Sequence, residues 1–83
     1  MDYVIIILSS VTHARRVQKE CEKKGIFAAI GHTPKKIANR GCSFMVKVKR
    51  KDYQESINII NSLMLKIFGS YVRTGEDSYD LFG

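Results

Sequence analysis

The chain has 83 residues, 45% of them hydrophobic and 27% charged, which fits one globular domain and excludes a wholly disordered chain. Its net charge of +6 is uneven: residues 75–83 hold Glu76, Asp77 and Asp80 and no cation, leaving fourteen cations against five acids in the remainder. Such a body attracts anions (nucleic acid, anionic lipid, acidic proteins or small anions), or is merely kept soluble by its charge. Two cysteines, no basic leader and an apolar run of only residues 4–8 argue against a disulfide framework, a secretory signal or a membrane span. The expected setting is a reducing cytoplasm with both thiols free.

Residues 3–8 are an unbroken, β-branched apolar run, the pattern of a central strand. Ser10 or Thr12 can start the first helix, on which Ala14, Val17 and Cys21 recur at i, i+3 and i+7 as a narrow buried stripe. Gly25 ends it as the residue after the C-cap. Residues 26–30 read as a second strand closed by Gly31, and a connection over residues 32–43 follows. Thr33 can cap and Pro34 can open one helical turn over residues 34–39. Residues 43–49 alternate, with Phe44, Val46 and Val48 on one face and Met45, Lys47 and Lys49 on the other.

Asp52 and Glu55 have capping-box spacing. Behind them Tyr53, Ile57, Ile60, Met64 and Ile67, widened by Ile59 and Leu63, make the buried stripe of a second helix that Gly69 stops. Residues 70–74 form a last strand, with Tyr71 and Arg73 opposite Val72. Residues 75–83 are an acidic tail whose Tyr79, Leu81 and Phe82 can pack back.

The order β-α-β-β-α-β predicts an α+β, ferredoxin-like split βαβ domain over residues 1–74. It has a four-stranded antiparallel sheet, strands one and three central, and two helices on one face. The other face stays open. Either Val4, Ile6 and Leu8 or Ile5 and Ile7 must lie there, and exposed with Met45 they would form an apolar patch for a homodimer or a partner.

The connection is the candidate site. It carries Cys42 among Lys35, Lys36, Arg40 and His32, and cations or a helix N-terminus favour the thiolate that cysteine chemistry requires. The N–H groups around Pro34–Lys36 would add a small anion nest at a helix start. The competing reading is packing: Cys42 shares parity with Phe44, Val46 and Val48, and free cysteine commonly behaves as a small hydrophobe. Cys21 belongs to the helix stripe and is assigned to the core. The scattered cysteines and histidines match no zinc spacing, and no Gly-rich phosphate loop, acid pair or Ser-His-Asp pattern occurs, so no metal or cofactor is expected.

At these residues the sequence resembles a small bacterial domain family described as "putative Se/S (selenium/sulfur) carrier-like". Ser10-Val11-Thr12-His13-Ala14 is similar to the family's Ser-Thr-His-His-Ala helix start. Lys24-Gly25-Ile26 ends the helix as the family does, and Thr33-Pro34-Lys35-Lys36-Ile37 resembles its Thr-Pro-Arg-x-Ile motif. A cysteine then precedes an alternating strand and a second helix. The family's Ser-Cys-Gly stands here as Arg40-Gly41-Cys42-Ser43, with glycine before the cysteine.

The resemblance implies a cytoplasmic protein that carries sulfur or selenium on Cys42 and passes it to a chalcogen-handling partner protein; a carrier without turnover of its own is favoured over an enzyme. Two other readings remain. One is a module whose basic sheet face, with Tyr71 and Phe27, binds single-stranded RNA, although no RNP-like motif is present. The other is a subunit whose open face binds a partner protein.

Overall fold

The computed structural model of the chain describes residues 3–35, 37, 44–75 and 78–82. Its elements are β1 (Tyr3–Leu8), α1 (Val11–Lys23), β2 (Ala28–His32), β3 (Phe44–Lys49), a 3-10 turn (Arg50–Asp52), α2 (Tyr53–Ser62), β4 (Gly69–Arg73) and β5 (Tyr79–Leu81). All strand pairings are antiparallel, in the order β2-β3-β1-β4-β5. The architecture is α+β, as expected, but the sheet has five strands rather than four. The extra edge strand comes from within the acidic tail, where Tyr79 and Leu81 pair with Arg73 and Tyr71. Phe82 holds it down: its N–H donates to the Ser70 carbonyl at 2.9 Å and its ring meets Tyr53 edge-on at 4.7 Å. Tyr53 in turn donates its hydroxyl to Ser70 Oγ at 3.0 Å.

β1 lies between β3 and β4, so both its edges are paired. Val4, Ile6 and Leu8 face the helices with Val46 and Val48, and all five are fully buried. Ala14, Val17 and Cys21 of α1 and Ile59 and Ile60 of α2 close this core. Each fully buried aliphatic side chain contributes about 1.5–3 kcal/mol. Ile5 and Ile7 point to the helix-free face, yet they are only 6% and 5% exposed. The apolar patch expected there is thus already covered on β1.

Two glycines help to cover it. Gly31, expected to close the second strand, lies within β2 opposite Met45, and a Cβ built on it would sit 3.0 Å from Met45 Cε. Gly69, expected to stop the second helix, lies within β4, where a Cβ would sit 3.0 Å from the Tyr71 ring. Both positions leave room for a large side chain to lean beside Ile7, the β1 residue that pairs with Met45 on one side and Gly69 on the other.

The helices end by the same device. After α1 the Ile26 N–H bonds to the Cys21 carbonyl at 2.9 Å and the Gly25 N–H to Glu22 at 3.0 Å, a Schellman motif with Gly25 at φ 74°. This commits the Ile26 backbone to the helix, so β2 starts at Ala28, two residues later than expected. The Gln18 amide donates to the Ala28 carbonyl at 3.0 Å and occupies part of this edge strand. After α2 the Leu65 N–H bonds to Ile60 at 3.3 Å and Met64 to Asn61 at 3.0 Å. Here the left-handed residue is Met64, at φ 59° and 90% exposed. α2 therefore stops before Met64 and Ile67 can join its stripe, and the Phe68 N–H is already bonded to the Ile7 carbonyl at 2.9 Å.

The expected capping box does not form either. Asp52 makes no side-chain cap because it ends the 3-10 turn that runs into α2, and its carbonyl instead accepts from Ser56 Oγ at 2.8 Å.

Left-handed backbone costs a non-glycine residue roughly 1–2 kcal/mol. Met64→Gly is therefore expected to raise stability by about 0.5–1 kcal/mol after the entropy that glycine adds to the unfolded chain. Gly25→Ala, the converse change, is expected to lower it by about 1 kcal/mol. Urea unfolding midpoints at unchanged slope test both.

Candidate functional site

Of the two thiols, Cys21 is among the described residues. Cys21 is fully buried between α1, α2 and the sheet. Burial pushes its thiol above the ordinary value of 9.0, against a smaller opposing effect of its hydrogen bond to Ser56, while Asp52, Glu20 and Glu22 add to the rise. A protonated, enclosed thiol is a poor nucleophile and has no route to a partner. The other thiol, Cys42, lies outside the described residues, as do Lys36 and Arg40.

Three of the expected site residues are described. His32 is exposed at the end of β2, opposite Phe44, with the two rings 5.1 Å apart. Thr33 follows and is 9% exposed. Its hydroxyl oxygen is buried without a hydrogen-bond partner, so it does not cap a helix as expected. Pro34 does start a turn, since the Ile37 N–H bonds to its carbonyl at 3.1 Å, and Lys35 is exposed within that turn.

The helix-free face holds a feature that sequence reasoning left unassembled. Tyr3, Ile5, Pro34, Met45, Lys47, Arg73 and Tyr79 line a cleft of about 350 Å³. They come from β1, the turn after β2, β3, β4 and β5. The Lys47 ammonium lies 5.0 Å from the centre of the Tyr3 ring, and that ring is 5.9 Å from Phe27. Arg73 Nε donates to the Gly75 carbonyl at 2.8 Å, which sets the plane of its guanidinium. The available signal was strand parity: Lys47 and Lys49 share one face, as do Tyr71 and Arg73. It could not say that these two faces are the same, because that depends on how β3 and β4 flank β1.

Among the described residues no group of three or more His, Cys, Asp or Glu side chains is placed to hold a metal ion. No described helix is long and apolar enough to cross a membrane.

The raised thiol of Cys21 has a consequence for stability. The folded state keeps this proton to higher pH than the unfolded state does, so its contribution is full below about 9 and is lost as pH rises through the folded value. The stability difference between the parent chain and Cys21→Ala should therefore shrink above pH 9, as read by urea titrations at pH 7–10.5; a constant difference would refute the assignment.

A family model described as "Putative Se/S carrier protein-like" matches residues 3–72, from the start of β1 into β4. No curated protein matches the chain.

Proposed function

The chain belongs to the "Putative Se/S carrier protein-like" family, and on that premise we propose that it carries a sulfur or selenium atom on Cys42 and delivers it to a partner protein in a reducing, cytoplasmic setting. The observation that supports this most is the full burial of Cys21. With two cysteines in the chain, a carrier thiol open to a partner has to be Cys42. His32, Thr33, Lys35, Lys36 and Arg40 surround it in sequence, and the exposed Lys35 is consistent with a basic approach for an anionic sulfur species. We read the scaffold as ferredoxin-like with β5 added at one edge, because the order β1-α1-β2-β3-α2-β4 and the antiparallel β2-β3-β1-β4 pairing are those of a split βαβ unit.

In the loading step the Cys42 thiolate attacks the outer sulfur of a donor persulfide, R–S–SH. The donor S–S bond breaks, RS⁻ leaves and takes up a proton, and Cys42 holds the new persulfide. The exchange needs no external oxidant. Delivery is the same exchange in reverse, with a partner thiolate as the attacking group.

Loading followed by intact-protein mass spectrometry tests this reading. Cys42→Ser is expected to abolish the added sulfur and Cys21→Ser to retain it; loading that survives Cys42→Ser overturns the proposal. In Cys21→Ser protein, iodoacetamide labelling of Cys42 should reach half its maximal rate at a pH well below about 8.5, the free-thiol reference.

A further inference from the structure

We propose that the Thr33 hydroxyl is the hydrogen-bond donor that holds the sulfur or selenium atom carried on Cys42, so that the chain is more stable loaded than empty. The inference rests on the carrier reading. It adds a cargo-binding residue and a physical reason for the loaded state to persist.

The first argument is an unmet hydrogen bond. Thr33 is 9% exposed, and its Oγ1 is buried with no partner. The large majority of buried side-chain polar groups are paired, and one that is not loses its hydration without compensation. The two other buried hydroxyl residues among those described follow that rule. Ser56 donates to the Asp52 carbonyl at 2.8 Å, and Ser70 accepts from the Tyr53 hydroxyl at 3.0 Å. Valine has the same branched shape and no polar atom, so Thr33 keeps its hydroxyl at the expense of stability in the empty chain.

The second argument is rigidity. Thr33 precedes Pro34, which disfavours helical backbone before it, and a β-branched side chain has few χ1 choices. The turn beyond is closed by backbone, through the Ile37 N–H and the Pro34 carbonyl at 3.1 Å, and leaves the hydroxyl unused. A donor held in this way loses little freedom when an acceptor arrives.

The third argument joins position and chemistry. Thr33 follows His32, which pairs with Phe44, and Cys42 stands two residues before Phe44 in the sequence. The covalent chain ties both residues to the same end of the β2–β3 pair. A persulfide extends the cysteine side chain by one S–S bond, about 2 Å. Its terminal sulfur, as an anion, is an acceptor, and a hydroxyl donates to it with the added strength of a charge-assisted bond. Lys35 is exposed, so its ammonium stays hydrated, whereas the Thr33 donor is enclosed.

The test loads the full chain with glutathione persulfide and removes the excess donor. Cyanide then takes the terminal sulfur as thiocyanate and leaves the Cys42 thiolate, and intact-protein mass spectrometry follows the loss. Thr33→Val should release sulfur about tenfold faster than the parent chain, the effect of losing one charge-assisted hydrogen bond. Thr33→Ser, which keeps the hydroxyl, should release it at the parent rate, as should Thr74→Val, exposed after β4. Urea midpoints give a second readout. Loading should raise the midpoint of the parent chain. Empty Thr33→Val should be at least as stable as the empty parent and gain less on loading.

Equal release from Thr33→Val and the parent overturns this inference and leaves the carrier reading standing. So does fast release from Thr33→Ser, which would make packing rather than the hydroxyl the cause, and so does a parent midpoint that loading leaves unchanged. A lower midpoint for empty Thr33→Val, or its failure to fold, means that the hydroxyl already has a partner in the empty chain, and overturns the inference too. If the parent chain takes up no sulfur at all, the carrier reading falls and this inference with it.

Discussion

Burial of β1 on both faces is the constraint that places everything else. Val4, Ile6 and Leu8 lose all contact with solvent on one side, and Ile5 and Ile7 nearly all of it on the other. A strand this apolar cannot sit at a sheet edge or over open water, because each exposed aliphatic side chain would forfeit about 1.5–3 kcal/mol. Paired edges put β3 and β4 beside it. One face is covered by helices. The other is covered by side chains that lean across from neighbouring strands, which is why that face has walls and a cleft instead of a flat apolar surface.

The helix ends set the distances. Both close with the same pair of backward hydrogen bonds, one through Gly25 and one through Met64. The first sends the chain toward Ala28 and fixes where β2 begins. The second ends α2 after three turns or so and gives residues 65–68 the reach to bring Phe68 beside Ile7. The C-terminal segment then finds a ready edge at β4, and the Tyr53, Ser70 and Phe82 contacts hold it there, with Arg50 stacked 5.1 Å over the Phe82 ring. β5 is thus stabilised by α2 as much as by its sheet partner.

Chemistry is divided along the same lines. The core encloses Cys21, and burial pushes its thiol above the ordinary value. The described acids all lie on the helix side of the sheet, together with most of the α1 cations, while Lys47, Lys49 and Arg73 lie on the other side.

What the sequence determined by itself was whatever near neighbours encode. The Ala14, Val17 and Cys21 stripe, the Val46 and Val48 alternation (with Phe44 half-buried at its start) and the apolar run of β1 predict elements whose burial the structure reproduces. The cysteine-bearing connection and its family resemblance were also legible, because motifs are local. Tertiary structure decided the remainder. Gly31 and Gly69 read as stops, but each receives a side chain that only strand packing brings there. Met64 has no sequence mark of a helix end. β5 is three residues long, too short for periodicity, and exists because β4 and Phe82 hold it. The cleft joins five separate chain segments. Periodicity reports which side of an element a residue takes, whereas pairing and loop closure decide which sides meet, and those depend on contacts between residues far apart in the chain.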